Sequence, residues 1–235
     1  MTMNINGDWT RFFLVFGIQS ALGITFLILV YKILKRKRSK ITLYLSSFYI
    51  SEFLVVLNNI VIIFLPFSFI VIFLYFLLYF VFYFAIVFYI LFLISFFQEQ
   101  LKFTGKKQIA LVIFYSFIII CLLAFPEGIT FKINGNWRPQ WSWMFLILNY
   151  VVITLLYNIP ILFFSYKLYS KFENPKLKKR IKYLLIGTGL LMIQAYGIVL
   201  YNTWENETFR MIWSFYTPFI MISAYFLYYG IGTNM

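Results

Sequence analysis

The chain has 235 residues, of which 63% are hydrophobic, 24% aromatic and only 11% charged. Soluble domains carry about 25% charged residues, so the composition excludes a soluble fold and points to one all-α membrane domain over residues 1–235. The net charge of +13 has no basic domain to carry it, which argues against nucleic-acid binding and for positive charge at membrane edges. There is no histidine and a single cysteine, Cys121, in an apolar run. A metal centre, a cofactor and an intrachain disulfide are therefore not expected.

Apolar runs of about 20 residues are long enough to cross a bilayer as helices, and seven are predicted. Helix 1 is placed at 12–33; without a basic n-region or a small-residue cleavage site it reads as a retained helix. Helix 2 covers 41–65 and helix 3 covers 69–97, separated by the turn Leu65-Pro66-Phe67-Ser68. Helix 4 covers 109–125 and stops at Pro126-Glu127-Gly128. In the connection that follows, alternating Ile129, Phe131 and Ile133 with Asn134-Gly135 predict a short hairpin or lid. Helices 5, 6 and 7 are placed at 143–166, 183–201 and 211–229.

The basic residues give this bundle a direction. The connections 1–2, 3–4 and 5–6 carry sixteen of the twenty Lys and Arg residues, and the opposite side carries four. Lys and Arg in short loops stay on the cytoplasmic side, so the N-terminus is expected outside and the C-terminus inside. A six-helix arrangement would scatter the clusters over both sides. Trp9, Trp137, Trp141, Trp143, Trp204 and Trp213 fall on the expected outer side, as does the sequon Asn206-Glu207-Thr208. Lys35, Arg36, Lys37 and Arg38, together with Lys176, Lys178, Lys179 and Arg180, form the expected inner basic surface. It reads as an anchor for anionic lipids or a dock for a cytoplasmic signalling protein. Of the inner connections, 5–6 stands out as the longest and most charged.

The candidate ligand residues start at Glu52, about 11 residues into predicted helix 2 and roughly 16 Å from its start. A carboxylate at that depth is costly and faces the bundle interior. It reads as a proton or cation site, as the polar centre of a ligand pocket, or as a protonated acid bonded to a neighbouring helix. Asn59 lies on the same face seven residues later, beside a stripe of Ser47, Ser51 and Asn58. Asn158 of helix 5 and Gln194 of helix 6 match it in depth. Tyr75, Tyr79 and Tyr83 repeat every four residues along helix 3, and Trp137 belongs to the connection that would act as a lid. Each of these also fits ordinary interhelical packing. Pro160 and Pro218 can kink helices 5 and 7 and free backbone carbonyls, either as hinges of a conformational change or simply to shape the bundle.

No catalytic set is apparent. Helix 7 lacks a lysine for a retinal Schiff base, and there is neither a nucleophile–base pair nor a phosphate-binding glycine loop. No enzymatic activity is expected. Topologically, seven helices with the N-terminus outside resemble G-protein-coupled receptors. Their acid-Arg-Tyr motif is replaced by Phe97-Gln98-Glu99-Gln100, and their Asn-Pro-x-x-Tyr motif by Thr217-Pro218.

The stretches Tyr31-Lys32-Ile33-Leu34-Lys35-Arg36, Asn136-Trp137-Arg138-Pro139, Asn174 to Tyr183 and Tyr228-Tyr229-Gly230 resemble seven-transmembrane receptor-like proteins of archaea, Asgard archaea in particular. They are also similar to the seven-helix sensor regions of prokaryotic histidine kinases. The resemblance implies a receptor-like sensor of the cell membrane, acting on a separate cytoplasmic partner because this chain stops at Met235. Two other functions suit the same residues: a small transporter or channel, and a subunit or assembly factor of a membrane complex.

Overall fold

Among the described residues, seven helices are long and apolar enough to cross a membrane: α1 (Phe16–Leu34), α2 (Lys40–Phe64), α3 (Phe69–Ser95), α4 (Gly105–Leu123), α5 (Trp143–Lys171), α6 (Pro175–Thr203) and α7 (Glu207–Gly230). This computed structural model describes residues 13–35, 39–132 and 138–232. Among them the one sheet is a hairpin of β1 (Ile129–Lys132) and β2 (Arg138–Trp141), antiparallel with Phe131 opposite Pro139. The predicted hairpin thus forms at the α4–α5 connection. Trp137, Arg36, Lys37, Arg38 and Trp9 lie outside the described residues.

Large apolar side chains point outward along the peripheral helices, such as Ile113, Phe117 and Ile120 on α4 and Met144, Ile147 and Leu155 on α5. In water such a surface would aggregate; in lipid it is the expected exterior. The core forms around α3. Seven consecutive residues, Tyr89 to Ser95, are buried, so this half of α3 is enclosed on all sides, as uniform hydrophobicity requires.

The helix ends follow local capping chemistry. At α2, Ser39 accepts from the Thr42 amide at 3.2 Å and its own amide donates to Thr42 Oγ1 at 2.8 Å, a reciprocal cap. At α6, the Asn174 side chain accepts from the Lys176 amide at 2.9 Å, and Pro175 occupies the first turn. This cap starts α6 eight residues before the predicted position and corrects the expectation of a long 5–6 connection. Only residues 172–174 link α5 to α6. Hydropathy marks the lipid-crossing part of a helix, whereas Lys, Arg and Leu are good helix formers that carry it further. At α7, Asn206 accepts from the Phe209 amide at 2.9 Å, so the helix begins at Glu207 and not at Met211.

The basic side chains therefore sit on helix ends. Lys167 and Lys171 fold back over the Phe97 ring, 5.1 and 5.3 Å from its centroid, and Lys178 lies 5.8 Å from that of Tyr169. Lys35, Lys176 and Lys179 are exposed, whereas Arg180 is half-buried with its Nη1 enclosed and unpartnered.

Pro160 shapes α5 as expected. It removes an N–H and clashes with the carbonyl four residues earlier, which is Leu156. The helix widens into a π-helical stretch at Ile153–Asn158, and the freed Leu156 carbonyl accepts the Tyr115 hydroxyl of α4. Removing that donor with Tyr115→Phe is expected to lower stability by about 1 kcal/mol. With Pro160→Ala in place the same change is expected to cost almost nothing, because the alanine supplies the missing N–H. Thermal unfolding of the four variants in one detergent measures this coupling.

Candidate ligand cavity

A closely bonded layer crosses the bundle beneath a cavity. In the half toward the basic connections, polar groups close on one another between helices. Tyr49 of α2 donates to the Ala224 carbonyl of α7 at 2.8 Å, Ser223 donates to the Gly187 carbonyl of α6 at 2.7 Å, and the Tyr89 and Thr188 hydroxyls are 2.5 Å apart. The rings of Phe26, Phe48, Tyr49, Tyr89 and Phe92 pack in a chain with centroids 5.1–6.1 Å apart. Close backbone approach makes this seal tight: a Cβ at Gly187 would lie 2.9 Å from the Ser223 carbonyl oxygen.

On the hairpin side of this plug lies a cavity of about 650 Å³, walled mainly by α1, α2, α3, α6 and α7. Such a volume accommodates a small organic molecule. Six of the eight predicted ligand residues line it: Glu52, Asn59, Tyr75, Tyr79, Asn158 and Gln194. Helix geometry gives their depth. Glu52 lies midway along α2, twelve residues from its hairpin-side end at Phe64, or about 18 Å. Gln194 is nine residues from the corresponding end of α6, or about 13 Å, and Asn59 five from that of α2, or about 8 Å.

The lining residues differ in how they are satisfied. Asn59 donates to Gln19 Oε1 of α1 at 2.9 Å. Tyr75 accepts from the Trp141 indole N–H at 2.9 Å, and Tyr79 accepts from Asn202 Nδ2 at 2.8 Å. Asn158 donates to the Tyr196 hydroxyl at 2.9 Å. Neither Asn158 nor Gln194 bonds Glu52, so the expected interhelical pair does not form. Among the described residues Glu52 has no hydrogen-bond or ion-pair partner; it is half-buried and borders the cavity. Gln194 is 6% exposed, and its Oε1 is enclosed without a partner.

Tyr83 does not line the cavity. Eight residues along a helix turn about 80° beyond two full turns, which carries Tyr83 away from Tyr75. Its hydroxyl donates to Asn149 of α5 and its ring stacks near Tyr157, with centroids 6.3 Å apart.

Sequence reasoning missed the rim. With α7 starting at Glu207, the exposed Glu207 and the half-buried Arg210 both border the cavity, which reaches the surface there. Arg210 donates from Nε to the Tyr201 carbonyl at 3.3 Å and lies over the Tyr201 ring. The hairpin forms another part of the rim through Pro139. It is anchored by Trp141, 1% exposed, whose indole packs on Tyr79 and Phe145 with centroids 4.7 and 4.9 Å apart. Only capping signals at Asn206 could have revealed the position of Arg210 in advance.

Trp213 forms one wall and depends on Gly197. It stacks with Phe209 and Tyr216 along α7, and a Cβ at Gly197 would fall 1.8 Å from its indole. Gly197→Ala must therefore push the indole aside. The expected cost is about 1–3 kcal/mol, typical of overpacking, and Trp213→Ala in the same chain should remove most of it. Thermal unfolding of the single and double variants tests this.

No family model matches this chain, and no curated protein matches it significantly.

Proposed function

We propose that this chain is a seven-helix membrane sensor that binds a small molecule in the cavity between α1, α2, α3, α6 and α7. The observation that carries this reading is the make-up of this cavity: Glu52, Asn59, Tyr75, Tyr79, Asn158 and Gln194 converge on a mostly apolar pocket, and a buried aromatic layer lies between it and the basic side. In this reading the N-terminus and the hairpin face the exterior of the cell membrane. The basic helix ends, with Lys35, Lys176, Lys178 and Lys179, contact anionic lipids and a separate cytoplasmic signalling protein. The resemblance to archaeal receptor-like proteins and to kinase-linked sensor regions supports the same role.

The route for a signal is α7. Above the break at Thr217-Pro218 its residues Arg210, Met211, Trp213 and Ser214 border the cavity, and none of the residues from Glu207 to Tyr216 is buried. Below the break, Ser223 and Ala224 are locked to α6 and α2. A ligand that displaces Trp213 thus loads a weakly packed segment against a fixed one, with Pro218 as the flexing point.

A sensor needs no through-path. Liposomes carrying the purified protein are expected to be as tight to protons and small solutes as protein-free liposomes. A proton or solute flux that Glu52→Gln abolishes would replace this reading with a transporter.

A further inference from the structure

We propose that the ligand is an organic amine with an apolar or aromatic body, bound as its ammonium ion at Glu52 and Gln194. This rests on the cavity being a ligand site and adds the chemical class of what it takes.

Two residues that carry a polar group unsatisfied by any described side chain border the same cavity. The Glu52 carboxyl has neither hydrogen-bond nor ion-pair partner among the described residues, and Gln194 Oε1 is enclosed without one. Among the described residues, Gln194 Oε1 is the only unpartnered buried side-chain atom whose residue borders the cavity. A Glu52 carboxylate and the Gln194 amide oxygen, once the amide turns it to the cavity, both accept, so the complementary ligand group is a donor with several N–H bonds. A positive charge on that donor makes the bond to the carboxylate charge-assisted.

The remaining wall narrows the choice. The other polar lining side chains at this depth are already engaged: Tyr79 with Asn202, Asn158 with Tyr196, and Tyr89 with Thr188. What is left is largely aromatic and aliphatic, with Phe26, Phe48 and Phe82 among the rings. Such surfaces accept an apolar body and also favour a cation over their faces.

The cation at the rim does not compete for this position. Arg210 is held at the Tyr201 carbonyl and ring, three residues into α7. In depth it lies on the order of 13 Å nearer the surface than Glu52. An inorganic cation would leave most of the 650 Å³ empty, and an anionic ligand would meet the carboxylate at close range.

The test uses the full chain in lipid nanodiscs and a panel of arylalkylamines from benzylamine to 4-phenylbutylamine, with their N,N-dimethyl forms. Each amine is paired with the alcohol of the same skeleton. Calorimetric titration is corrected with protein-free nanodiscs, because such amines partition into lipid. At least one amine is expected to bind ten or more times tighter than its alcohol. That preference should vanish in Glu52→Gln, and binding should weaken several-fold in Gln194→Leu, with unfolding temperatures confirming that both variants fold. An alcohol binding as tightly as its amine, and displaced by Ala195→Trp, would leave the cavity as a ligand site and overturn the amine assignment. No binding by any member of the panel would also overturn it. Amine binding that survives unchanged in both Glu52→Gln and Ala195→Trp would place the molecule elsewhere and overturn the cavity reading too.

Discussion

Lipid offers no hydrogen bonds, so every polar group within the bilayer must be satisfied by the protein or by what enters it. This constraint organises the bundle. Tyr49 reaches across to the backbone of α7, Tyr89 to Thr188 of α6, Tyr83 to Asn149 of α5, and Tyr115 to the carbonyl that Pro160 frees. Each bond joins two helices, and each is worth only on the order of 1 kcal/mol in a membrane. Their larger effect is to fix rotation, because a helix turned by one residue would leave these groups facing lipid. The positions that break the pattern are then informative, and Glu52 and Gln194 break it inside one cavity.

The two halves of the molecule divide structure from function. On the basic side, glycines at 187 and 230 let backbones approach closely: added Cβ atoms there would lie 2.9 Å from the Ser223 carbonyl oxygen and from the Leu184 amide nitrogen. Small residues serve this purpose in membranes, where packing replaces the hydrophobic effect between helices. On the hairpin side, no residue of α7 from Glu207 to Tyr216 is buried, and its aromatic column meets α6 closely at Gly197. A rigid half below and a looser half above is the arrangement in which ligand contact is able to shift one segment without unfolding the rest.

Much of this was legible in the residues. Seven spans, the hairpin between α4 and α5, and the depth of Glu52, Asn59, Tyr75, Tyr79, Asn158 and Gln194 all follow from hydropathy, turn chemistry and helical rise. Helix rotation was less accessible, because spacing places a residue on a face but does not say what that face meets. Tyr83 shares the four-residue repeat of Tyr75 and Tyr79, yet the angular drift along the helix carries it to α5. The ends of α6 and α7 were misplaced for a related reason. Charged residues end a hydropathy signal without ending a helix, and the caps at Asn174 and Asn206 outweigh it. That shift removes the long basic connection between α5 and α6 and brings Glu207 and Arg210 to the rim.

The central claim is that Glu52, midway through the bundle, is reached from the hairpin face through one cavity. Cys121 is the only native cysteine and is exposed on α4, so Cys121→Ser gives a thiol-free background for Glu52→Cys. A membrane-impermeant thiol reagent applied to the hairpin face of protein in lipid should modify this cysteine, and Ala195→Trp should slow the reaction at least tenfold. Modification only from the basic face, or none from either side in the folded protein, would contradict the account.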